Sequence, residues 1–159
     1  MTEFRELLNN NLLFWSIFSC LLAQFLKIFF NFFSEKKIRF GIIFETGGMP
    51  SSHAALISSI TAGLGWDMGF DQPIFALAVA ISLIVMYDAS GVRRAAGFQA
   101  IEINKLSKKI NTESAIQLKE KLGHSRLEVF VGSILGPLIT LPGIEFVGSP
   151  QNIIDKLIN

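Results

Sequence analysis

The stretch Asn11–Phe33, NLLFWSIFSCLLAQFLKIFFNFF, runs 23 residues with a single charge, Lys27. About 20 apolar residues in a helix cross the hydrocarbon core of a bilayer, where every backbone polar group must be satisfied within the segment. The remaining composition agrees. Half of the 159 residues are hydrophobic, 15 are Phe and 17% are charged, against about a quarter charged in soluble domains. Mean hydropathy is +0.47. The expectation is an all-α integral membrane bundle, with residues 1–159 forming one membrane-embedded domain. A net charge of +1, with no basic stripe carrying interleaved aromatics, points away from nucleic acid. Cys20 stands alone in the apolar run and reads as a small core residue, not as part of a disulfide or thiolate site. Glu3 and Glu6 flank Arg5 near the start, which does not fit a signal peptide.

Three further apolar segments follow, which makes about four transmembrane helices. Ser52 to about Phe70 is short and rich in Ala, Ser and Gly, with Trp66 as an interfacial anchor. Its small residues suit close packing, so it is expected inside the bundle. Pro73–Val92 begins with a proline suited to a first helical turn. Leu127 to about Val147 contains Pro137 and Pro142, which are expected to kink or break it. Between the third and fourth segments lies a lysine-rich polar stretch, Arg93–Arg126. It is expected to be partly helical, with Asn111-Thr112-Glu113 as a helix start.

Counting spans places the polar motifs on one side. Lys27 lies toward the exit of the first helix and His53 at the start of the second. Arg93 and Arg94 lie at the exit of the third, and His124 at the start of the fourth. The same side holds Lys36, Lys37, Lys105, Lys108, Lys109, Lys119 and Lys121, even with Arg39, Arg93, Arg94 and Arg126 set aside. The other side holds Arg5 and Lys156. The excess of basic residues assigns the loaded side to the cytoplasm, in an inner-membrane, multi-pass protein.

On that side runs Gly47-Gly48-Met49-Pro50-Ser51-Ser52-His53. Two glycines, a proline, two hydroxyls and an imidazole at a helix start form a cradle for an anion, through backbone N–H groups and the positive end of the macrodipole. With Tyr87-Asp88-Ala89-Ser90-Gly91-Val92-Arg93-Arg94 and Gly123-His124-Ser125-Arg126-Leu127-Glu128, this run resembles the divergent branch of the type 2 phosphatidic acid phosphatase superfamily. That branch is related to acid phosphatases and vanadium-dependent haloperoxidases. The resemblance covers about Asn11 to Gly136.

The resemblance implies a lipid phosphate or diphosphate phosphatase working through a phosphohistidine, with no metal or other cofactor. His124 becomes the nucleophile and His53 the proton donor to the leaving oxygen, while Glu128 orients His124 in place of the usual Asp. Lys27, Arg39, Ser51, Ser52, Arg93 and Arg94 become phosphate-binding, with Lys37 a rival of Lys27. Ser52 replaces the motif glycine. Two spacings depart from the superfamily pattern. Lys27 and Arg39 are 12 apart, and 29 residues separate Arg94 from His124, far more than the usual motif. The partners implied are a lipid phosphate and membrane lipids. Asp88, inside the third span, is expected to pair with an arginine, and Glu45 and Glu102 to be solvated. The alternative is a non-catalytic protein that binds or moves anionic lipids, for which the basic cluster serves equally. A serine hydrolase using Ser51 or Ser52 lacks a nucleophile elbow. A vanadate-dependent oxidase would share the pocket chemistry.

Overall fold

The computed structural model describes residues 6–7, 9–36, 41–42, 47–110 and 117–158. Among them the regular structure is entirely helical: α1 (Asn11–Glu35), α2 (Ser52–Met68), α3 (Pro73–Tyr87), α4 (Arg93–Lys109), α5 (Arg126–Pro142) and α6 (Pro150–Ile158). Lys37, Arg39, Glu45 and Asn111-Thr112-Glu113 lie outside the described residues. Among the described residues, three helices are long and apolar enough to cross a membrane: Asn11–Phe33, the continuous Pro73–Lys109 and Arg126–Val147. The fourth, α2, has 17 residues, or about 26 Å at 1.5 Å per residue. It is the central helix of this membrane bundle, packed against α1, α3 and α5.

Its small residues explain that position. Gly132 and Gly136 on α5 lie one turn apart and face α2. A Cβ on Gly132 would strike the Ser51 carbonyl oxygen. One on Gly136 would strike the Ala55 carbonyl and lie 2.8 Å from Ser59 Oγ. Without side chains there, the two backbones approach closely, which is how helices associate where burial of apolar surface gives no driving force. Hydroxyl pairs tie the other seams. Ser19 and Ser59 meet at 2.6 Å between α1 and α2, and Thr61 and Ser82 at 2.7 Å between α2 and α3.

Capping sets the ends. Asn10 Oδ1 accepts from the Leu13 N–H at 2.8 Å to start α1, and Ser51 Oγ accepts from the Ala54 N–H at 3.3 Å to start α2. Ser125 and Glu128 form a reciprocal capping box at the start of α5.

Two expectations need correction. The third segment does not end at Val92. It passes through a π-helical turn, Asp88–Val92, straight into α4 and runs to Lys109. At ~56 Å this helix is longer than a ~30 Å hydrocarbon core, so α4 projects beyond it on the loaded side. Nor is the fourth segment broken at Pro137, which lies inside α5. The helix instead relaxes into a π turn, Gly143–Val147, just after Pro142, where a missing N–H and a crowded ring are accommodated by the wider turn.

Candidate active site

The site is organised by the start of α5. His124 precedes the cap residue, and the capping box turns the Glu128 side chain back over it. Glu128 Oε2 meets His124 Nδ1 at 2.9 Å and accepts from the Ser125 N–H at 3.3 Å. His124 is 3% exposed, and its Nε2 is buried with no hydrogen-bond partner among the described residues. Because a carboxylate accepts only, Nδ1 is the donor to Glu128, and Nε2 is the ring nitrogen left for other chemistry. The His124 N–H donates to the Ala89 carbonyl at 2.8 Å, and the Ser51 N–H to the Glu128 carbonyl at 3.0 Å. These two bonds lock the histidine to the π turn and the Gly-Gly-Met-Pro turn to α5.

The 29-residue separation of Arg94 from His124 closes in space. Gly123 has φ +75° and lies on the Arg93–Arg94 peptide. A Cβ there would be 2.8 Å from the Arg93 carbonyl carbon and from Arg94 Cα. Only glycine meets both demands. Between these points, α4 runs outward and residues 117–123 return along it. The stripe Gly97, Ala100, Asn104 on α4 is buried against that return. Asn104 Nδ2 donates to the Leu118 carbonyl and to Glu120 Oε1, both at 2.9 Å, and its Oδ1 accepts from the Leu118 N–H at 3.0 Å. Sequence reasoning passed over Asn104. The signal was a polar residue at helical spacing from Gly97 and Ala100.

The result is a cleft of about 380 Å³ lined by Asn31, Gly47, Gly48, Arg94, Phe98, His124, Ser125 and Glu128 among others. Arg94 lies over the Phe98 ring at 5.5 Å. Arg93, rotated about 100° from it on the helix, does not line the cleft. Its Nε donates to Asp88 Oδ2 at 2.5 Å, the i, i+5 pairing that a π turn brings into line. Asp88 thus has the arginine partner expected of it. Glu102 is exposed and pairs with Lys105 at 2.7 Å. Lys27 is 1% exposed and lines an adjoining chamber with Gly48, Ser125 and Glu128. Asn31, one turn beyond Lys27, lines both spaces, and its Oδ1 is buried without a hydrogen-bond partner among the described residues. Its i+4 spacing from a buried lysine was the sequence signal for it.

Other expected residues sit outside the cleft lining. Ser51 and Ser52 are buried, with Ser51 engaged as the α2 cap. His53, on the first turn of α2, is exposed, within electrostatic reach of Arg93, His124, Lys27 and Asp88.

The fold and the site together define a helical membrane protein with a carboxylate-backed histidine and a basic rim gathered at one end of the bundle. The match to a family model described as "Divergent PAP2 family" covers residues 8–139, so the chain belongs to the divergent PAP2 family. It is also 38% identical over 150 residues to the uncharacterized membrane protein YuiD of Bacillus subtilis (strain 168), covering 86% of this chain and 95% of YuiD. No solved structure matches it.

Proposed function

We propose that the protein hydrolyses a phosphate monoester or diphosphate of a membrane lipid, passing the phosphoryl group through His124. The observation that carries this reading is the buried His124 backed by a half-buried Glu128, with Nδ1 held at 2.9 Å and the other nitrogen unpartnered among the described residues. Nε2 attacks phosphorus in line, and the bond to the lipid oxygen breaks as His53 protonates that oxygen. Water then attacks the phosphorus as the P–Nε2 bond breaks, His53 taking the water's proton, phosphate leaving and His124 returning to its starting state. Arg94, Lys27 and the N–H groups of the glycine turn hold the phosphoryl oxygens, supplying the fixed positive charge that phosphoryl transfer needs. Anionic-lipid binding without turnover would use the same rim but has no need of the histidine–carboxylate pair.

The test is phosphate release from a panel of lipid phosphates in detergent with EDTA present. Full activity in chelator, inhibition by vanadate and acid-labile phosphate trapped on wild type but not on His124→Ala support the reading. Activity that vanishes in EDTA and returns with magnesium refutes it.

The active site is proposed to face the cytoplasm of the inner membrane, on the strength of seven lysines against two basic residues across the bilayer. Single cysteines at Lys108 and Gln151 in a Cys20→Ser background test this. An impermeant thiol reagent on intact cells that labels position 108 and spares 151 reverses the orientation.

A further inference from the structure

Where the far halves of α1 and α5 meet, they are sealed. Gly143 lies against the Trp15 ring, Thr140 Oγ1 donates to the Trp15 carbonyl at 3.4 Å, and Trp15 Nε1 donates to the Gly148 carbonyl at 3.0 Å. Toward the site the same two helices, with Ile42 and the Gly48-Met49 turn, line a chamber of about 520 Å³, within the range of small-molecule pockets. Its walls change character with depth. Lys27, Ser125 and Glu128 form the inner part, and Phe30, Phe33 and Leu127 the apolar part. Phe33 and Leu127 are 65% and 61% exposed and sit at the ends of the membrane-crossing stretches of α1 and α5, so they open toward the membrane boundary. Asn31, Ile42, Gly48, Ser125 and Glu128 line both chamber and cleft. The two spaces therefore adjoin along these five residues.

We propose that this chamber is a lateral portal between α1 and α5 that seats the first apolar carbons of a lipid phosphate while its phosphate lies in the His124 cleft. The assignment rests on the phosphatase reading for the chemistry but on the chamber alone for the tail. An amphiphile fits both parts at once: anionic oxygens near Lys27 and Arg94, methylenes on Phe30, Phe33 and Leu127, and the rest of the tail in the membrane. The substrate class is then a phosphate monoester of a membrane-resident lipid, reached from the bilayer plane with its apolar chains still in the membrane. A second apolar groove between α2 and α3, about 350 Å³ and lined by Phe70, Phe75 and Leu83 among others, shares no lining residue with the cleft.

The probe is a diazirine-tailed phosphonate analogue of phosphatidate, in phosphatidylcholine vesicles holding the full-length protein. Photolabel concentrated at residues 30–33 and 127, competed by unlabelled phosphonate and absent with a neutral diazirine diacylglycerol, supports the portal. Label at Phe70, Phe75 and Leu83, or no enrichment over the neutral probe, overturns it. In parallel, Leu127→Trp fills the mouth. Losing contact with about two methylenes lowers the long-chain over short-chain kcat/KM ratio roughly tenfold. Leu138→Trp, elsewhere on the lipid face of α5, keeps the wild-type ratio. An unchanged ratio in Leu127→Trp overturns the proposal. Photolabel in the chamber of a protein that releases no phosphate from any lipid would refute hydrolysis and leave the portal standing.

Discussion

Replacing Glu128 separates two things its carboxylate does. One oxygen, Oε2, serves both the His124 Nδ1–H at 2.9 Å and the Ser125 N–H at 3.3 Å. In Glu128→Gln the amide oxygen takes that place, because an NH₂ group there would face two donors. His124 keeps its tautomer and its Nε2 lone pair, and only the charge is lost. A hydrogen bond to an ionised group contributes about 1.5–3 kcal/mol against roughly 0.5–1.5 for a neutral pair. The difference, on the order of 1–1.5 kcal/mol, is about tenfold in kcat, felt as the imidazole gains positive charge on phosphorylation. Glu128→Ala goes further and leaves Nδ1 of a 3% exposed ring unpaired. That adds roughly 1–3 kcal/mol, for a total loss of about 10²–10³-fold. Both variants keep the cap from Ser125 Oγ to the Glu128 N–H at 3.2 Å, so the start of α5 stays intact. The assay is phosphate release from long-chain phosphatidate in detergent with EDTA, with acid-labile phosphate measured on the same samples. The expected order is wild type, then Gln, then Ala. A Gln variant as inactive as Ala refutes the tautomer argument. Wild-type rates in both would mean that Glu128 does not support His124 and that His124 is not the nucleophile.

The other expectations address the proton donor, the return segment and the helix seam. His53→Ala lowers turnover of alkyl phosphates by about 10²–10⁴-fold and of aryl phosphates far less, because a good leaving group needs little protonation; equal losses on both would remove His53 from that role. Asn104→Ala deletes the three hydrogen bonds that hold residues 118 and 120 against α4, so it lowers kcat more than it raises KM and speeds hydrogen exchange across 117–123. Unchanged exchange there would show that the segment is held by other contacts. Gly136→Val drives a side chain into the Ala55 carbonyl and Ser59 Oγ; overpacking of this kind costs about 1–3 kcal/mol, seen as a lower unfolding temperature in detergent. An unchanged temperature would mean that α2 and α5 are not in direct backbone contact.

Sequence alone carried a good deal of this, because the signals are local. Segment length and apolarity specify helices in lipid, where only a helix satisfies its backbone hydrogen bonds within a single segment. Parity of spans puts the motifs on one side. The Gly47–His53 run marks the start of α2, whereas the pairing of Glu128 with His124 entered only through the family resemblance, and the capping box that builds it came from the structure. Small residues in α2 foretold its central place. Other features depend on elements far apart in the chain, and only the tertiary structure decided them. Whether Arg93 or Arg94 lines the cleft turns on a π turn, which rotates one toward Asp88 and the other toward Phe98. The long gap before His124 closes because Gly123 rests on the Arg93–Arg94 peptide and Asn104 clamps the return. Lys27 and Asn31 gain a shared purpose only once α1 and α5 are sealed at Trp15 and parted at Leu127. Spacing along a chain fixes which face of a helix a residue occupies, but not which neighbour that face will meet.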